Sequence, residues 1–527
     1  MIKERCIFYP LKNIFHIFST DRVFFLAVVA VIALNIIIRY PVVPHQLGVD
    51  SFFIHYLAGV IGSEGKIPWL LSILSLFGLY PYSYPSGIPI LLSELHLVTG
   101  CELEVIIYLF ALVMGLLGLG TSYLLAGEFF QGRGKQLLFA CIYSLSPLAL
   151  KYTIWTASTR GAFLMLLPLA LWSLIRFCRT WSIPYLLVTI LLYSVLWSVH
   201  RLFTLLIPIT LFCILLYKGK NLIPVRILKE HERVCMILVL LAIVITFILY
   251  ALQFVNFAIA YDNSGDYWGL RYFSFAGIPG WVNYLMGNLI ELGARFVLLI
   301  PLAIIGLFYF LQPGVVKTNE WFLLVVTLFF IPFIGLSIQI YQILLPFICL
   351  LATYGIFVLL RNRKGSLFTV AAYSFLIAIL ILSSVGTLVY RDISVDSSGF
   401  HNYADEQTVS VAFFLRDNTP PSEGIQGVGS LYIAAYSGKN ATIPEEISNT
   451  IAGDTPDIKN GIRMKKIDLF NVHSWESFIK YPFFVENEKI VNISARYIVS
   501  GSHPAAPYQK QYFQVYDNGF HTAGYTR

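Results

Sequence analysis

Long apolar runs separated by short polar joints dominate the first 390 residues. A membrane-spanning helix needs roughly 20 predominantly apolar residues, and the runs predict about eleven such helices. Their cores fall at 23–38, 105–125, 137–150, 161–175, 184–199, 202–217, 234–255, 296–311, 321–336, 343–360 and 367–389. The runs at 202–217 and 296–311 are short for a span. The first run is followed by Arg39-Tyr40-Pro41 rather than by a small-residue cleavage site, so it reads as a retained signal-anchor helix.

Between the first two spans lies a long loop, 41–104. Within it, 51–61 reads as a short amphipathic helix, broken by Gly65-Lys66-Ile67-Pro68-Trp69. A second break, Tyr80-Pro81-Tyr82-Ser83-Tyr84-Pro85-Ser86-Gly87, precedes an apolar stretch at 88–98 that carries Glu94 and His96. Such segments suit helices lying in the membrane interface, with Trp and Tyr at headgroup level. After residue 390 the pattern changes. Polar residues, Gly and Pro rise, strand-like runs occur at 431–435, 496–499 and 512–516, and 409–416 reads as a helix. The predicted fold is an all-α polytopic membrane protein with a small C-terminal α/β extracytoplasmic domain. Residues 1–390 form the transmembrane part and 391–527 the tail domain. Asn440-Ala441-Thr442 and Asn492-Ile493-Ser494 in the tail are N-glycosylation sequons.

Composition excludes a soluble globular protein, which would need a polar skin: hydrophobic residues make up 57% of the chain, charged residues 12%, and mean hydropathy is +0.73. The formal charge of +7 sits mainly in short joints. With the N-terminus in the cytosol, 17 of the 24 basic residues before position 391 fall on the cytosolic side, as the positive-inside bias requires. That arrangement places the loop 41–104 and the tail outside, and it is a signal of orientation rather than a nucleic-acid groove. Cys6, Cys101, Cys141, Cys178, Cys213, Cys235 and Cys349 lie outside the tail and form no CxxC pair, so neither a disulfide framework nor a zinc site is supported.

Against this background a carboxylate just past the first apolar run stands out: Asp50, in Gly48-Val49-Asp50-Ser51-Phe52-Phe53-Ile54-His55. An acid at a water–lipid boundary is costly unless it has work to do. It suits either a helix N-cap or a general base, and the two roles are compatible. His55 follows five residues on, able to steer a phosphate or sugar hydroxyl or to sit as a neutral interfacial histidine. Arg160, His200, Arg201 and Arg271 come from different outer loops, with Lys151 near Arg160. Brought together they would clamp a phosphate; apart, they snorkel to lipid headgroups. Asp262 and Asp266 read as a solvated acidic loop.

The first loop resembles that of the GT-C superfamily in Asp50, His55, Gly65-Lys66-Ile67-Pro68 and Tyr84-Pro85-Ser86-Gly87. These are membrane glycosyltransferases that use polyprenyl-phosphate sugars, including the catalytic subunit of oligosaccharyltransferase and protein O-mannosyltransferases. Leu145-Ser146-Pro147, the stretch Val411-Ala412-Phe413-Phe414-Leu415-Arg416-Asp417-Asn418-Thr419-Pro420 and the stretch Phe513-Gln514-Val515-Tyr516-Asp517-Asn518-Gly519 are similar to it too, most like archaeal members. Three features depart from the family pattern. Trp155-Thr156-Ala157-Ser158-Thr159-Arg160 lacks a second acid, Ser337-Ile338-Gln339-Ile340-Tyr341-Gln342 lacks an arginine, and Trp-Trp-Asp is absent.

The resemblance implies an integral membrane glycosyltransferase, moving a sugar from a polyprenyl (pyro)phosphate donor to a lipid, glycan or protein acceptor on the extracytoplasmic face. Asp50 would be the base, with His55 assisting, and Arg160, Arg201, His200 and Arg271 would hold the donor phosphate. No metal ligands are assigned, although a divalent metal (Mg or Mn) is compatible with the family; the low acid count favours a metal-independent mechanism. Two rival readings are a transporter or flippase of lipid-linked saccharide and a non-catalytic membrane scaffold. The first would show paired broken helices in matching halves, and none is visible in the sequence.

Overall fold

The computed structural model describes residues 21–40, 43–65, 85–222, 296, 299–310, 318–331, 340–360, 378, 382, 386, 404, 406–418, 424–427, 435–438, 441–442, 484–486, 489–491, 495–501, 512–517 and 521–526. The expected spans at 234–255 and 367–389, Arg271, Asp262, Asp266 and both sequon asparagines lie outside them or contribute only isolated residues.

Helix α1 (Asp21–Ile38) is the first apolar run. It is largely unburied, with Phe25, Leu26 and Ile37 each about two-thirds exposed, an apolar surface that lipid would cover. The loop after it holds α2 (Val49–Glu64) and α3 (Gly87–Thr99). Next come α4 (Leu103–Phe129), α5 (Arg133–Ser144) and the short α6 (Pro147–Lys151). They are followed by α7 (Thr159–Thr180), α8 (Ile183–Val199), a 3-10 turn (Arg201–Leu205) and α9 (Leu206–Leu222). Three more helices, α10 (Leu299–Phe310), α11 (Thr318–Phe330) and α12 (Ile340–Leu360), complete the described bundle. Among the described residues four helices, Asp21–Ile38, Leu103–Phe129, Thr159–Thr180 and Ile340–Leu359, are long and apolar enough to cross a membrane. At 1.5 Å per residue, the 27 residues of α4 reach about 40 Å.

α4 packs along α5 and α7, α7 along α8, and α10 along α12. The last pair meets backbone to backbone. A Cβ at Gly306 would lie 2.0 Å from the Leu351 carbonyl oxygen, and one at Gly355 would lie 2.0 Å from that of Leu302. Small residues at such a crossing let helices approach in a membrane, where burial of apolar surface gives no drive to associate. Pro168 and Pro346 sit inside α7 and α12, as membrane helices tolerate where neighbours satisfy the freed carbonyls.

Two expectations need correction. The third expected span, 137–150, is not one helix: it breaks at Leu145–Ser146. Pro147 cannot donate to the preceding turn, and the Ser146 hydroxyl instead accepts from Ala149 N at 3.3 Å as the cap of α6. Helix α2 is not amphipathic either. Ser51 to Ala58 are all buried, because α3, α4 and part of the tail enclose it.

In the tail, α13 (Glu406–Asn418) precedes seven short strands. A five-stranded sheet has the order β2-β1-β5-β7-β6, from β1 (Gly424–Gly427), β2 (Ala441–Thr442), β5 (Ala495–Gly501), β6 (Tyr512–Asp517) and β7 (His521–Thr526). β1 runs parallel to both β2 and β5, while β7 runs antiparallel to β5 and β6. β3 (Phe484–Glu486) and β4 (Lys489–Val491) form a separate hairpin. Of the expected strand at 431–435 only residue 435 is described, and it opens a helical turn at 435–437.

Candidate functional site

The chain segments 46–51 and 155–157 lie side by side at one end of the bundle. Leu47 N donates to the Trp155 carbonyl at 2.9 Å, and Ala157 N donates to the Ser51 hydroxyl at 2.7 Å. Gly48 makes the turn into α2 at φ +89°, a left-handed conformation that glycine adopts without steric cost. Trp155 turns the opposing segment at φ +35°. This position is unfavourable for a bulky residue and is held by the Leu47 bond and by an edge-on contact with Tyr108. Two helices therefore begin at this seam, α2 just after Gly48 and α7 just after Ser158, whose hydroxyl accepts from Gly161 N. Helix N-termini carry partial positive charge.

Asp50 occupies the second position of α2, so Gly48, not Asp50, is the cap. Its neighbour Ser51 is the residue bonded to Ala157, three positions before Arg160. Arg160 and Lys151 both lie against the Tyr152 ring, 5.8 and 5.2 Å from its centroid. Gly161 permits this arrangement, since a Cβ there would stand 2.1 Å from the Tyr152 carbonyl oxygen. The Tyr152 hydroxyl accepts from Gln342 at 3.4 Å, tying α12 to the same end. One turn along α7, the Phe163 ring meets buried His200 at 6.0 Å. The Nδ1 of His200 caps the 3-10 turn by accepting from Leu202 N at 3.0 Å. Arg201 opens that turn. Gly87, of the Tyr84-Pro85-Ser86-Gly87 motif, packs α3 onto Ser198, 2.9 Å from its hydroxyl by Cβ position. Lys151 and Arg160 thus share the Tyr152 ring close to the segment bonded to Ser51, while His200 meets α7 one turn on, at Phe163.

His55 has a different setting. Five residues along a helix is a rotation of about 140°, so its position faces away from that of Asp50. It packs edge-on against Tyr436 of the tail, ring centroids 5.2 Å apart. Its imidazole is buried, Nδ1 has no partner among the described residues, and burial pushes its pKa down to about 4. The ring is therefore neutral at pH 7.

Above it lies a polar knot that the sequence reading missed. Glu104, in the first turn of α4, accepts from Tyr436 OH at 2.7 Å and from Gln46 N at 2.9 Å, and His45 Nδ1 lies 3.3 Å away. His45 Nε2 stands 3.6 Å from Glu406 of α13. Burial pulls the His45 pKa down, but the Glu104 and Glu406 carboxylates outweigh it and leave it raised. The available signal was an acid at the mouth of a long apolar helix, the same signal that picked out Asp50. Among the described residues no cluster of His, Cys, Asp or Glu has the arrangement to hold a metal ion.

This helical membrane bundle, with a helix-bearing loop after the first span, has a fold seen in a solved membrane protein. The structure of ArnT from Cupriavidus metallidurans bound to undecaprenyl phosphate matches over 94% of this chain and 97% of that one, with a TM-score of 0.51 and 13% identity. The apo form of the same protein matches over the same shares at a TM-score of 0.48 and 11% identity. The mycobacterial arabinofuranosyltransferase AftD matches over 76% of this chain and 30% of its own length, at 0.40 and 15%. No protein-family model and no curated protein matches the chain.

Proposed function

We propose that this chain is an integral membrane glycosyltransferase of the GT-C type. It would take a sugar from a polyprenyl (pyro)phosphate carrier and transfer it to an acceptor hydroxyl or amide on the extracytoplasmic face. The observation that carries the reading is the seam. Asp50 lies beside a segment hydrogen-bonded to the loop that presents Arg160, where two helices start, in a fold whose full-length match binds undecaprenyl phosphate. In this orientation the N-terminus is cytosolic, residues 1–390 form the membrane part, and residues 391–527 form an outer domain.

The chemistry follows from the residues. Asp50, at the start of α2, accepts the acceptor's proton. The acceptor atom bonds to the anomeric carbon as the bond from that carbon to the phosphate oxygen breaks. The electron pair leaves on the phosphate, where Arg160, with His200, Arg201 and Arg271, holds the developing charge. The isoprenoid stays in lipid against the exposed apolar helix faces, so only the head reaches the polar end. His55, neutral and packed under Tyr436 on another face of α2, would steady that helix from the tail side rather than touch the reacting atoms.

Asp50→Asn separates this reading from its rivals. With normal expression, transfer from a polyprenyl-phosphate-linked hexose should fall by about 10²-fold or more, the usual contribution of a positioned base. Arg160→Ala should weaken binding of undecaprenyl phosphate about tenfold, as expected for one charge-assisted contact. Full transfer by Asp50→Asn would overturn the assignment. Purified protein that moves a lipid-linked sugar across vesicles without cleaving it would favour a flippase.

A further inference from the structure

Arg39 follows α1 directly and is 1% exposed, although α1 itself is mostly bare. Burying a guanidinium in an apolar bundle carries a penalty of several kcal/mol unless it is paired and hydrogen-bonded. Among the described residues Arg39 faces no carboxylate. Its donors go elsewhere: Nη1 to the Asn35 side-chain oxygen at 2.7 Å and its carbonyl at 3.2 Å, Nη2 to the Ser144 carbonyl at 2.9 Å, and Nε to the Thr153 hydroxyl at 3.1 Å. Asn35 lies in the last turn of α1, and Ser144 is the last residue of α5. Carbonyls at helix C-termini lack intrahelical donors and carry partial negative charge. Two helix ends thus take the place of a counter-ion. Helix α4 leaves the room: a Cβ at Gly115 would lie 2.0 Å from Arg39 Nε.

The third partner gives this arrangement a consequence. The Thr153 hydroxyl accepts from Arg39 and donates to the Ala149 carbonyl of α6 at 2.8 Å. Two residues later the chain makes its left-handed turn at Trp155, whose carbonyl receives Leu47 N, and Ala157 N then reaches Ser51 beside Asp50. We propose that Arg39 is a positioning residue for the transfer site: through Thr153 it fixes the 155–157 segment against which the Asp50 segment is registered. This rests on the reading of Asp50 as the base.

The test uses full-length protein in detergent, with Thr153→Val, Thr153→Ser, Arg39→Lys and Arg39→Met. Val keeps the shape of Thr and removes the hydroxyl; Ser restores it. Lys keeps the charge, but its donors all radiate from one nitrogen and cannot span acceptors spaced for a planar fork. Hydrogen exchange at the Leu47 and Ala157 amides should quicken about tenfold in Thr153→Val and Arg39→Met, the loss expected for one hydrogen bond to a charged group, and stay at the wild-type rate in Thr153→Ser. Turnover of a polyprenyl-phosphate-linked hexose should lose about tenfold in kcat with KM unchanged in Thr153→Val and in Arg39→Lys, and recover in Thr153→Ser. Unchanged exchange in Thr153→Val overturns the proposal whether or not the protein transfers sugar. A lowered thermal midpoint with unaltered kcat in the folded fraction overturns it as well, leaving Arg39 a fold-holding residue. An active Asp50→Asn with quickened exchange in Thr153→Val would instead sink the base assignment and keep the structural link.

Discussion

Removing one phenolic oxygen, in Tyr436→Phe, should loosen the tail from the membrane part. The hydroxyl donates to Glu104 at 2.7 Å, and burial together with the nearby carboxylate raises its pKa, so it remains a donor throughout the working range. A hydrogen bond to a charged group is worth about 1.5–3 kcal/mol. The Glu104 side chain is 17% exposed and keeps Gln46 N as a donor, so water and that amide offset part of the loss. The lower end, about 1.5 kcal/mol, is the working figure, or roughly tenfold in the docking equilibrium. The reporter is hydrogen exchange across α13, which is joined to the knot by Glu406 and by the edge-on Phe413–Tyr436 contact. Its amides should exchange about tenfold faster while those of α4 and α7 keep their rates. A cycle with Glu104→Gln sharpens the test, because glutamine still accepts but without charge. The coupling should be about 1 kcal/mol, the gap between a charged and a neutral acceptor. Exchange across α13 within twofold of wild type, or strictly additive effects, would refute the claim that this bond holds the tail down.

The same knot predicts a pH dependence. The His45 pKa is raised above 6.5 in the folded protein, so its stabilising contribution is complete below 6.5 and lost as pH rises through the folded value. Protection of α13 should therefore decline on going from pH 6 to pH 8, and His45→Gln should flatten that profile. Glu406 is 72% exposed, so Glu406→Gln should change protection little. At the opposite end of the bundle, the buried Glu128 carboxylate lies 2.5 Å from Arg176 and 2.8 Å from Arg179. Glu128→Gln should destabilise by about 1–3 kcal/mol, less than a fully buried pair because both arginines reach solvent, read as a lower thermal midpoint in detergent. Gly306→Val should prevent close packing of α10 on α12 and abolish the monodisperse folded species on size exclusion, with no expected rescue by temperature.

How much of this was legible in the chain depended on whether the controlling contact was local. The runs at 23–38 and 105–125 became Asp21–Ile38 and Leu103–Phe129, because an apolar stretch of that length has one economical structure in lipid. The break before Pro147 was visible as a motif, yet hydropathy ran across it; a serine cap and a missing N–H do not lower a hydrophobic average. The burial of α2 was not legible. Its cover includes Tyr436, whose bond to Glu104 spans 332 positions, and no local pattern carries that information. Arg39 stood in the sequence as an exception to the charge bias. Its partners, two helix ends and a threonine, are backbone and hydroxyl groups that charge counting does not see.

The two ends of the molecule differ in what faces their unsatisfied buried polar atoms. At the Glu128 end, the Glu128 oxygens and Arg176 Nε make no hydrogen bond among the described residues but face opposite charge, the carboxylate lying between Arg176 and Arg179, while Asn319 bonds Tyr217 and the Glu128 carbonyl, and Tyr354 bonds Glu320 and the Phe129 carbonyl. Toward the Asp50 end, the Gln46 amide, His55 Nδ1, the Ser86 hydroxyl, Trp155 Nε1 and Gln342 Oε1 are buried without hydrogen-bond partners and without a facing charge of their own among the described residues. Each such atom costs about 1–3 kcal/mol in lost solvation, a burden that a bundle built only for packing would replace with apolar side chains. A sugar presents hydroxyls that both donate and accept, which an amide, an imidazole and a serine can meet. Trp155 Nε1 lies at the Asp50 seam and Gln342 at Tyr152 beside Arg160 and Lys151, so on the proposed reading charge, helix starts and unmet hydrogen-bonding capacity meet where the sugar phosphate would bind.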